Sequence, residues 1–260
     1  MSVCHDKTVE EIGPVWRELW GRLWHTTHPE RFLGILKDGA IRPEPDIPDS
    51  ERWNTRRGSA LFPFVRSIEG VSLFDFFDFD PIAYQKRCPI STWREFAPFR
   101  SNWAGAVWLE VERRNILSSF ISGDKLLESW KNKKQFSRNI MPYIEAAHIG
   151  DLPLSSIRRV IFIRARDKGR FHFFDPLNFD REKYRDLLTE WRMDHEQQNL
   201  KLKSIAEKRH NKIINDHGKP THEVKKIKQL ETDPLTLLRG AVVKLEYPDE
   251  PVGGSDWDPS

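Results

Sequence analysis

Polar side chains interrupt an apolar pattern near the start of the chain. The segment LWHTTHPERFLGILKDGAI begins with an apolar pair, continues as His-Thr-Thr-His, and then becomes amphipathic until Gly39. Pro29 suits the first turn of a helix, where its missing N–H has no partner to lose, and Gly39 suits a helix end. A turn that only joined a strand to a helix would favour Gly or Asn. We therefore take His25, Thr26 and Thr27 as candidates for holding a ligand.

A single carboxylate lies in the middle of a second apolar segment. Glu145 occurs in YIEAAHIGDLPLSSIRRVIFI, directly after Ile144 and before Ala146. A carboxylate among apolar neighbours costs free energy unless it is paired or used in chemistry. A strand-edge carboxylate without a chemical role is the alternative. Ser72, in the strand-like GVSLFDFFDFD, is a weaker candidate, because a serine in a strand is usually a small packing or surface residue.

Composition narrows the class of protein. The chain has 260 residues, two cysteines far apart and a formal net charge of +3, which suits one large domain or a domain with an appendage. With so few cysteines we expect neither a disulfide framework nor a zinc knuckle, and a reducing cytoplasmic location. The N-terminal residues lack the order of a signal peptide, and no apolar run is long enough to span a bilayer, so no membrane partner is expected. Mild basicity permits an anionic partner.

Strand and helix patterns are mixed along the first 180 residues. A long Pro- and Arg-rich loop is predicted at 42–66, and a basic loop follows the helix at 122–130. Charge increases after Asp180, in a long helical pattern whose residues 201–228 contain nine Lys or Arg and three acids, a net charge of +6. We predict two parts: a domain at 1–180, and at 181–260 a basic helical extension with a last strand at 237–247 and an acidic tail.

Strands are predicted at 23–25, 70–80, 105–116, 160–163 and 169–175, and helices at 7–22 and 29–39.

Several familiar motifs are missing or weak. The glycines form neither G-x-G-x-x-G nor a P-loop, and there is no G-x-S-x-G or H-E-x-x-H sequence. His210 and His217 are seven residues apart on a predicted helix, and solvated histidines on a charged helix are the favoured interpretation. Three aspartates at 75, 78 and 80 have the chemistry for a hard cation but the spacing of no known loop. No metal is predicted.

Three segments in a fixed order resemble one enzyme superfamily. WHTTH, ILKDGAI and IEAAHIGDLPLSSIRRVIFI resemble a strand-end H-x-T, a helix end and a Glu strand in the ADP-ribosyltransferase superfamily, and most closely its DarT-type members, which modify nucleic acids. The resemblance extends over about residues 23–165. It implies an α+β fold with a split, mainly antiparallel sheet core and flanking helices, a catalytic domain at 1–180, and NAD as substrate.

The resemblance also implies roles for the candidate residues. His25, with Thr26 or Thr27 beside it, would contact the adenosine-side ribose or the phosphates of NAD. Ser72 would help to shape the nicotinamide pocket, and Glu145 would hydrogen-bond the nicotinamide ribose, so that Glu145, His25 and Ser72 form the predicted catalytic set.

Residues for phosphate and acceptor binding follow from the same comparison. Arginine-modifying relatives have a second acid or Gln two residues before the catalytic glutamate, and Tyr143 at that position disfavours arginine as the acceptor. The phosphate-binding candidates are Arg56, Arg57 or Arg66 in the long loop. The acceptor-binding candidates are Tyr143 and the basic loop residues Lys131, Lys133, Lys134 and Arg138, for which a simply solvated loop is the alternative.

Three functions are compatible with these residues. The first is an enzyme that transfers ADP-ribose from NAD to a macromolecule such as DNA or RNA, as a toxin or anti-phage effector with an antitoxin or immunity protein as partner. The second is an NAD glycohydrolase, in which water replaces the acceptor. The third is a nucleic-acid-binding module that has the fold without the catalysis.

Overall fold

A computed structural model describes residues 13–52, 58–167 and 169–215, so the predicted strand at 237–247 lies outside the described residues. The strands are β1 Leu23–Thr27, β2 Ala40–Ile41, β3 Gly70–Asp75, β4 Gly105–Val111, β5 Phe120–Ile121, β6 Glu145–Ile149, β7 Leu152–Pro153, β8 Ile157–Arg164 and β9 Phe171–Phe174. The helices are α1 Gly13–Leu19, α2 Pro29–Asp38, α3 Phe64–Ser67, α4 Pro81–Arg87, α5 Trp93–Phe96, α6 Gly123–Asn132 and α7 Arg181–Asn215.

A seven-stranded antiparallel sheet forms the centre of the fold. Its order is β5-β6-β3-β1-β4-β8-β9, and the short strands β2 and β7 pair separately. Strand β1 therefore lies in the middle, with three strands on each side. The predicted α+β class and the mainly antiparallel sheet are confirmed.

The sheet separates two hydrophobic cores because successive side chains of a strand point to opposite faces. Leu23, Leu73 and Val107 pack into the first core, together with Phe32 of α2 and Tyr184 of α7. Their neighbours in sequence pack into the second, aromatic core, which α1, α4 and α5 cover: Trp24, Phe74 and Trp108, with Trp16, Phe79 and Trp93. All seven residues of β4 are buried. The sheet is thus covered on both faces.

Local signals explain where the site-bearing helices begin and end. His28 precedes α2 and accepts the N–H of Glu30 at Nδ1, while Gly39 ends the helix at a φ of 71°, a conformation that glycine adopts without strain. Asp80 begins α4 by accepting the N–H groups of Ile82 and Ala83. The helix predicted at 29–39 therefore agrees with the structure.

Two compact units are distinguished in the chain, Met1–Ala206 and Glu207–Ser260. The predicted boundary at 180/181 falls inside the first unit, because the beginning of α7 buries Tyr184, Leu187 and Trp191 in the first core. No helix among the described residues has the length and apolar character needed to cross a membrane.

The structure differs from the sequence prediction mainly in short elements. Strand β3 ends at Asp75 instead of continuing to residue 80, because Asp80 starts α4, which was not predicted. Strand β1 continues to Thr27, beyond the predicted end at His25. Helix α5 and the three two-residue strands were also not predicted, since elements this short have no periodicity to detect.

Gly123, the first residue of α6, provides a test of close packing beside β6. A Cβ atom at this position would collide with the backbone carbonyl of Tyr143. We expect Gly123→Ala to lower the free energy of unfolding by about 1–3 kcal/mol. The matched control is Gly34→Ala within α2, where a Cβ meets no atom within 4 Å and helix propensity favours alanine by up to about 1 kcal/mol. Urea denaturation of both variants measures the difference, and equal stabilities would contradict the close packing.

Candidate functional site

The candidate site lies where two neighbouring strands separate. Strand β1 pairs with β4 over all five of its residues, but it pairs with β3 only through Leu23 and Trp24. On its other side β3 pairs with β6 over five residues. From His25 onward, therefore, the backbones of β1 and β3 no longer form a ladder, which leaves polar groups of both strands available to side chains or ligands.

Ser72 connects the predicted catalytic residues at this separation. Its hydroxyl donates to Oε1 of Glu145 at 2.7 Å, and its carbonyl oxygen lies 3.0 Å from Nδ1 of His25. By strand alternation His25 and Glu145 belong to opposite faces of the sheet, and Ser72 contacts one through its backbone and the other through its side chain. The structure thus bonds both residues to Ser72, with their side chains on opposite faces of the sheet.

The carboxylate of Glu145 is buried and doubly hydrogen-bonded. The residue is 5% exposed, and its second oxygen, Oε2, accepts the backbone N–H of Met141 at 2.9 Å. Burial raises the pKa of Glu145, while the hydrogen bonds from Ser72 and Met141 act in the opposite direction. No cation pairs with this carboxylate among the described residues. Its environment therefore disfavours the charged form, as at many catalytic carboxylates.

The hydrogen bond to Ser72 fixes the tautomer of His25. A carbonyl oxygen only accepts, so Nδ1 must carry the proton. Burial lowers the pKa of His25, and the bond to Ser72 partly opposes this effect, so the ring is neutral at pH 7. Nε2 then holds a lone pair, and no described residue donates to it. It can accept a hydrogen bond from a hydroxyl group of a ligand.

Thr26 and Thr27 continue β1 beyond His25. The Oγ1 atom of Thr26 is buried and has no hydrogen-bond partner among the described residues, which is unusual for a buried hydroxyl. Thr27 is buried opposite Val107. Thr26 therefore has a buried hydroxyl with unused hydrogen-bonding capacity within the described part of the chain.

The site is nearly closed. His25, Ser72 and Thr26 are half-buried, whereas Glu145 is buried. Cavities of about 400, 360 and 460 Å³ are found among the described residues, and the hydrogen-bonded trio lines none of these three.

The predicted phosphate-binding arginines are not brought to the trio. Arg56 and Arg57 lie outside the described residues. Arg66 already pairs with two carboxylates, through Nε to Glu44 at 2.6 Å and through Nη1 to Asp49 at 2.8 Å. Its charge is therefore balanced within the long loop.

The predicted acceptor-binding residues divide into two groups. Lys131, Lys133 and Lys134 are exposed and form no ion pair among the described residues. Arg138 instead points inward, where Nη1 donates to the carbonyl oxygens of Ser59 and Phe62 at 2.8 and 3.2 Å. The lysines are free to contact a partner, whereas Arg138 fastens the basic loop to the protein.

Tyr143 and the aspartates at 75, 78 and 80 line the cavity of about 460 Å³. The guanidinium of Arg87 lies 3.6 Å from the ring centroid of Tyr143. Asp75 faces Arg113 at 3.6 Å, and the oxygen of Asp80 that caps α4 is already occupied. Among the described residues no group of three or more metal-ligating side chains is found; the His210 side chain and all of His217 lie outside them.

Three relevant groups were not predicted from the sequence. Glu110 of β4 is 5% exposed and pairs with Arg159 at 2.9 Å; its place within GAVWLEV, an acid inside an apolar strand, was a usable signal. No sequence signal pointed to the backbone N–H of Met141 or to the hydroxyl of Tyr84, which donates to the carbonyl of Pro142. Their importance depends on contacts between segments distant in sequence.

Comparison of the chain with protein-family models, curated proteins and solved structures finds no match.

Replacing the buried carboxylate should change stability in a pH-dependent way. Folding raises the pKa of Glu145, so the folded protein binds this proton more tightly than the unfolded chain does. Protonated Glu145 therefore contributes stability that is fully present below the ordinary glutamate pKa. This contribution is lost as the pH rises through the pKa of Glu145 in the folded protein. Relative to wild type, we expect Glu145→Gln to gain on the order of 1 kcal/mol in unfolding free energy between pH 4 and pH 8.

Urea denaturation at both pH values measures this gain. Glu196→Gln, on the exposed side of α7, controls for the loss of one negative charge. A stability difference between Glu145→Gln and wild type that stays constant or shrinks with rising pH would contradict the electrostatic assignment.

Proposed function

We propose that the chain is an NAD-cleaving enzyme of the ADP-ribosyltransferase type, in which Glu145 is the catalytic carboxylate. The observation that supports this proposal best is the hydrogen-bonded trio at the separation of β1 and β3. Ser72 orients a buried carboxylate at 2.7 Å and also holds a neutral His25 at 3.0 Å.

The reaction needs one correctly aimed anion. Departure of nicotinamide leaves oxocarbenium character on the ribose, as in glycoside hydrolysis. A carboxylate held near that sugar stabilises the charge as it develops, and it is most effective where water is excluded. Glu145 is aimed by Ser72 and Met141, so little reorganisation is needed in the transition state. Neither a metal nor a second carboxylate is required for this step.

The other residues bind and orient NAD in this proposal. His25 accepts a ribose hydroxyl at Nε2, the ring atom left free by its bond to Ser72. Thr26 supplies the buried hydroxyl that has no partner within the described chain. Because Glu145 is buried, binding must displace part of the covering structure, and this exclusion of water favours transfer to an acceptor over hydrolysis.

Nucleic acid is the acceptor that the exposed surface favours. Lys131, Lys133 and Lys134 form no ion pair with any residue that the structure describes, and Phe136 between them and Arg138 is 64% exposed. Lysines bind backbone phosphates, and an exposed aromatic ring stacks on unpaired bases. The same surface would also serve a nucleic-acid-binding module without catalysis, and only turnover of NAD distinguishes the two functions.

Nicotinamide release from NAD tests the catalytic proposal. We expect the wild-type protein to release nicotinamide and Glu145→Gln to lose about 10²-fold or more in kcat, because the variant retains shape and loses the charge. His25→Ala should mainly raise KM. Liquid chromatography of nicotinamide, with radiolabelled NAD to follow ADP-ribose onto DNA, RNA or protein, measures both effects.

Glu110→Gln is the matched control, since it neutralises another buried strand glutamate of the same sheet, one that pairs with Arg159. It should lower stability without the loss in kcat. NAD left intact by folded wild-type protein in the presence of all three acceptor classes would remove the proposal.

The acceptor assignment has its own test. Changing Lys131, Lys133 and Lys134 together to Gln should weaken binding to a single-stranded oligonucleotide by about tenfold or more at low salt, and flatten its salt dependence. Fluorescence anisotropy over a salt series measures both. The triple variant of Lys37, Lys183 and Arg185 to Gln removes equal charge elsewhere on the surface and should bind normally. Equal binding by the two triple variants would argue against this surface.

A further inference from the structure

The turn that precedes β6 is joined to Glu145 by two reciprocal hydrogen bonds, one to its backbone and one to its carboxylate. The backbone N–H of Glu145 donates to the carbonyl of Met141 at 2.9 Å, and Oε2 of Glu145 accepts the N–H of Met141 at the same distance. The position of the carboxylate therefore depends on the geometry of residues 141–144.

This turn is not a relaxed conformation by itself. Tyr143 has a φ of 66°, in the left-handed region where a residue with a Cβ is disfavoured. Ile144 donates back to the carbonyl of Pro142 at 2.8 Å. A strained turn persists only where its surroundings determine it.

Helix α4 supplies those surroundings from outside the sheet. The hydroxyl of Tyr84 donates to the carbonyl oxygen of Pro142 at 2.8 Å, and one turn later the guanidinium of Arg87 stacks 3.6 Å from the ring centroid of Tyr143. Tyr84 is only 7% exposed, so its hydroxyl cannot exchange this bond for one to bulk water. Both contacts fall on the two residues between Met141 and Ile144.

We propose that Tyr84 and Arg87 form a clamp that holds the 141–144 turn and thereby aims the carboxylate of Glu145. The clamp acts through the backbone of the turn, so Tyr84 and Arg87 are positioning residues that need not touch the substrate. This inference rests on the proposed function for its catalytic consequence, whereas the physical coupling between Tyr84 and Glu145 is measurable without turnover.

The electrostatic environment of Tyr84 is consistent with a coupling between Tyr84 and Glu145. Burial raises the pKa of Tyr84 well above that of a free tyrosine, and the charge of Glu145 acts in the same direction. The hydrogen bond with Ser91 opposes this effect only in part, so the Tyr84 hydroxyl keeps its proton at neutral pH. Loss of its hydroxyl weakens the turn, and with it the bond from Met141 to Glu145.

Tyr84→Phe tests the clamp, because it removes one hydroxyl and keeps the ring that packs against Phe79. The chain offers a matched control: Tyr184 is also buried and donates to a proline carbonyl, that of Pro29, at 2.8 Å. Tyr84→Phe also removes the bond between the tyrosine hydroxyl and Oγ of Ser91 at 2.8 Å, so it should lose more stability than Tyr184→Phe, but only the bond to Pro142 holds the turn before Glu145. Arg87→Lys, which retains charge without a planar stack, is the second clamp variant.

Amide hydrogen exchange and the titration of Glu145 give the readout that does not depend on activity. In Tyr84→Phe we expect the amide of Met141 to exchange about tenfold faster, as for loss of one buried hydrogen bond, and the pKa of Glu145, followed by carboxyl carbon NMR, to rise. Tyr184→Phe should leave both unchanged apart from its global stability. Unchanged exchange and titration in Tyr84→Phe overturn the clamp, whatever the activity.

Kinetics give the second readout. With active wild-type protein, Tyr84→Phe should lower kcat by about tenfold and leave KM within about twofold, because aiming of the carboxylate matters in the transition state. Arg87→Lys should change kcat in the same direction by less, and Tyr184→Phe should leave it near the wild-type value. A normal kcat in Tyr84→Phe overturns the clamp alone. Wild-type protein that leaves NAD intact removes the proposed function, and faster exchange at Met141 then still supports the physical coupling.

Discussion

The central constraint on this structure is a buried carboxylate that pairs with no cation among the described residues. Removing the charge of Glu145 from water costs free energy that two hydrogen bonds, from Ser72 and from the backbone of Met141, only partly offset. Another buried glutamate of the same sheet, Glu110, has a different environment, because it pairs directly with Arg159. One buried glutamate is thus balanced by an ion pair and the other is held by hydrogen bonds alone, a contrast that supports the proposed catalytic role of Glu145.

The surrounding fold supports that carboxylate through Ser72 and Met141, and the same Ser72 holds His25 on the opposite face of the sheet. Strand β3 contributes Ser72, and strand β1 contributes His25 at the point where the two strands lose their pairing. The turn before β6 contributes Met141, and α4 packs on the turn through Tyr84 and Arg87. An aromatic core centred on Trp24, Phe74 and Trp108 fixes the strands that carry these residues. The packed strands and helices thus position the carboxylate of Glu145, whose burial would be unfavourable without these contacts.

The exposed basic loop adds a second kind of surface to the same region. Arg138 fastens the loop to the segment around Ser59, which leaves Lys131, Lys133, Lys134 and Phe136 facing solvent. Trp130 of α6 donates to the carbonyl of Arg138 and packs edge-on against Phe136. The 141–144 turn, which holds the proposed catalytic carboxylate, follows this loop directly in the chain.

The sequence by itself determined the elements whose signals are local. Apolar patterns located strands β3, β4 and β8 but not their ends, the Pro29 and Gly39 signals bounded α2, and an acid among apolar residues marked Glu145 as a candidate. The separation of β1 from β3, the bonds of Ser72 to both His25 and Glu145, and the contact of Tyr84 with Pro142 were decided only by the tertiary structure. Each joins residues between 47 and 73 positions apart in the chain. Such contacts depend on strand order and register, and local propensity contains no information about which distant strands become neighbours.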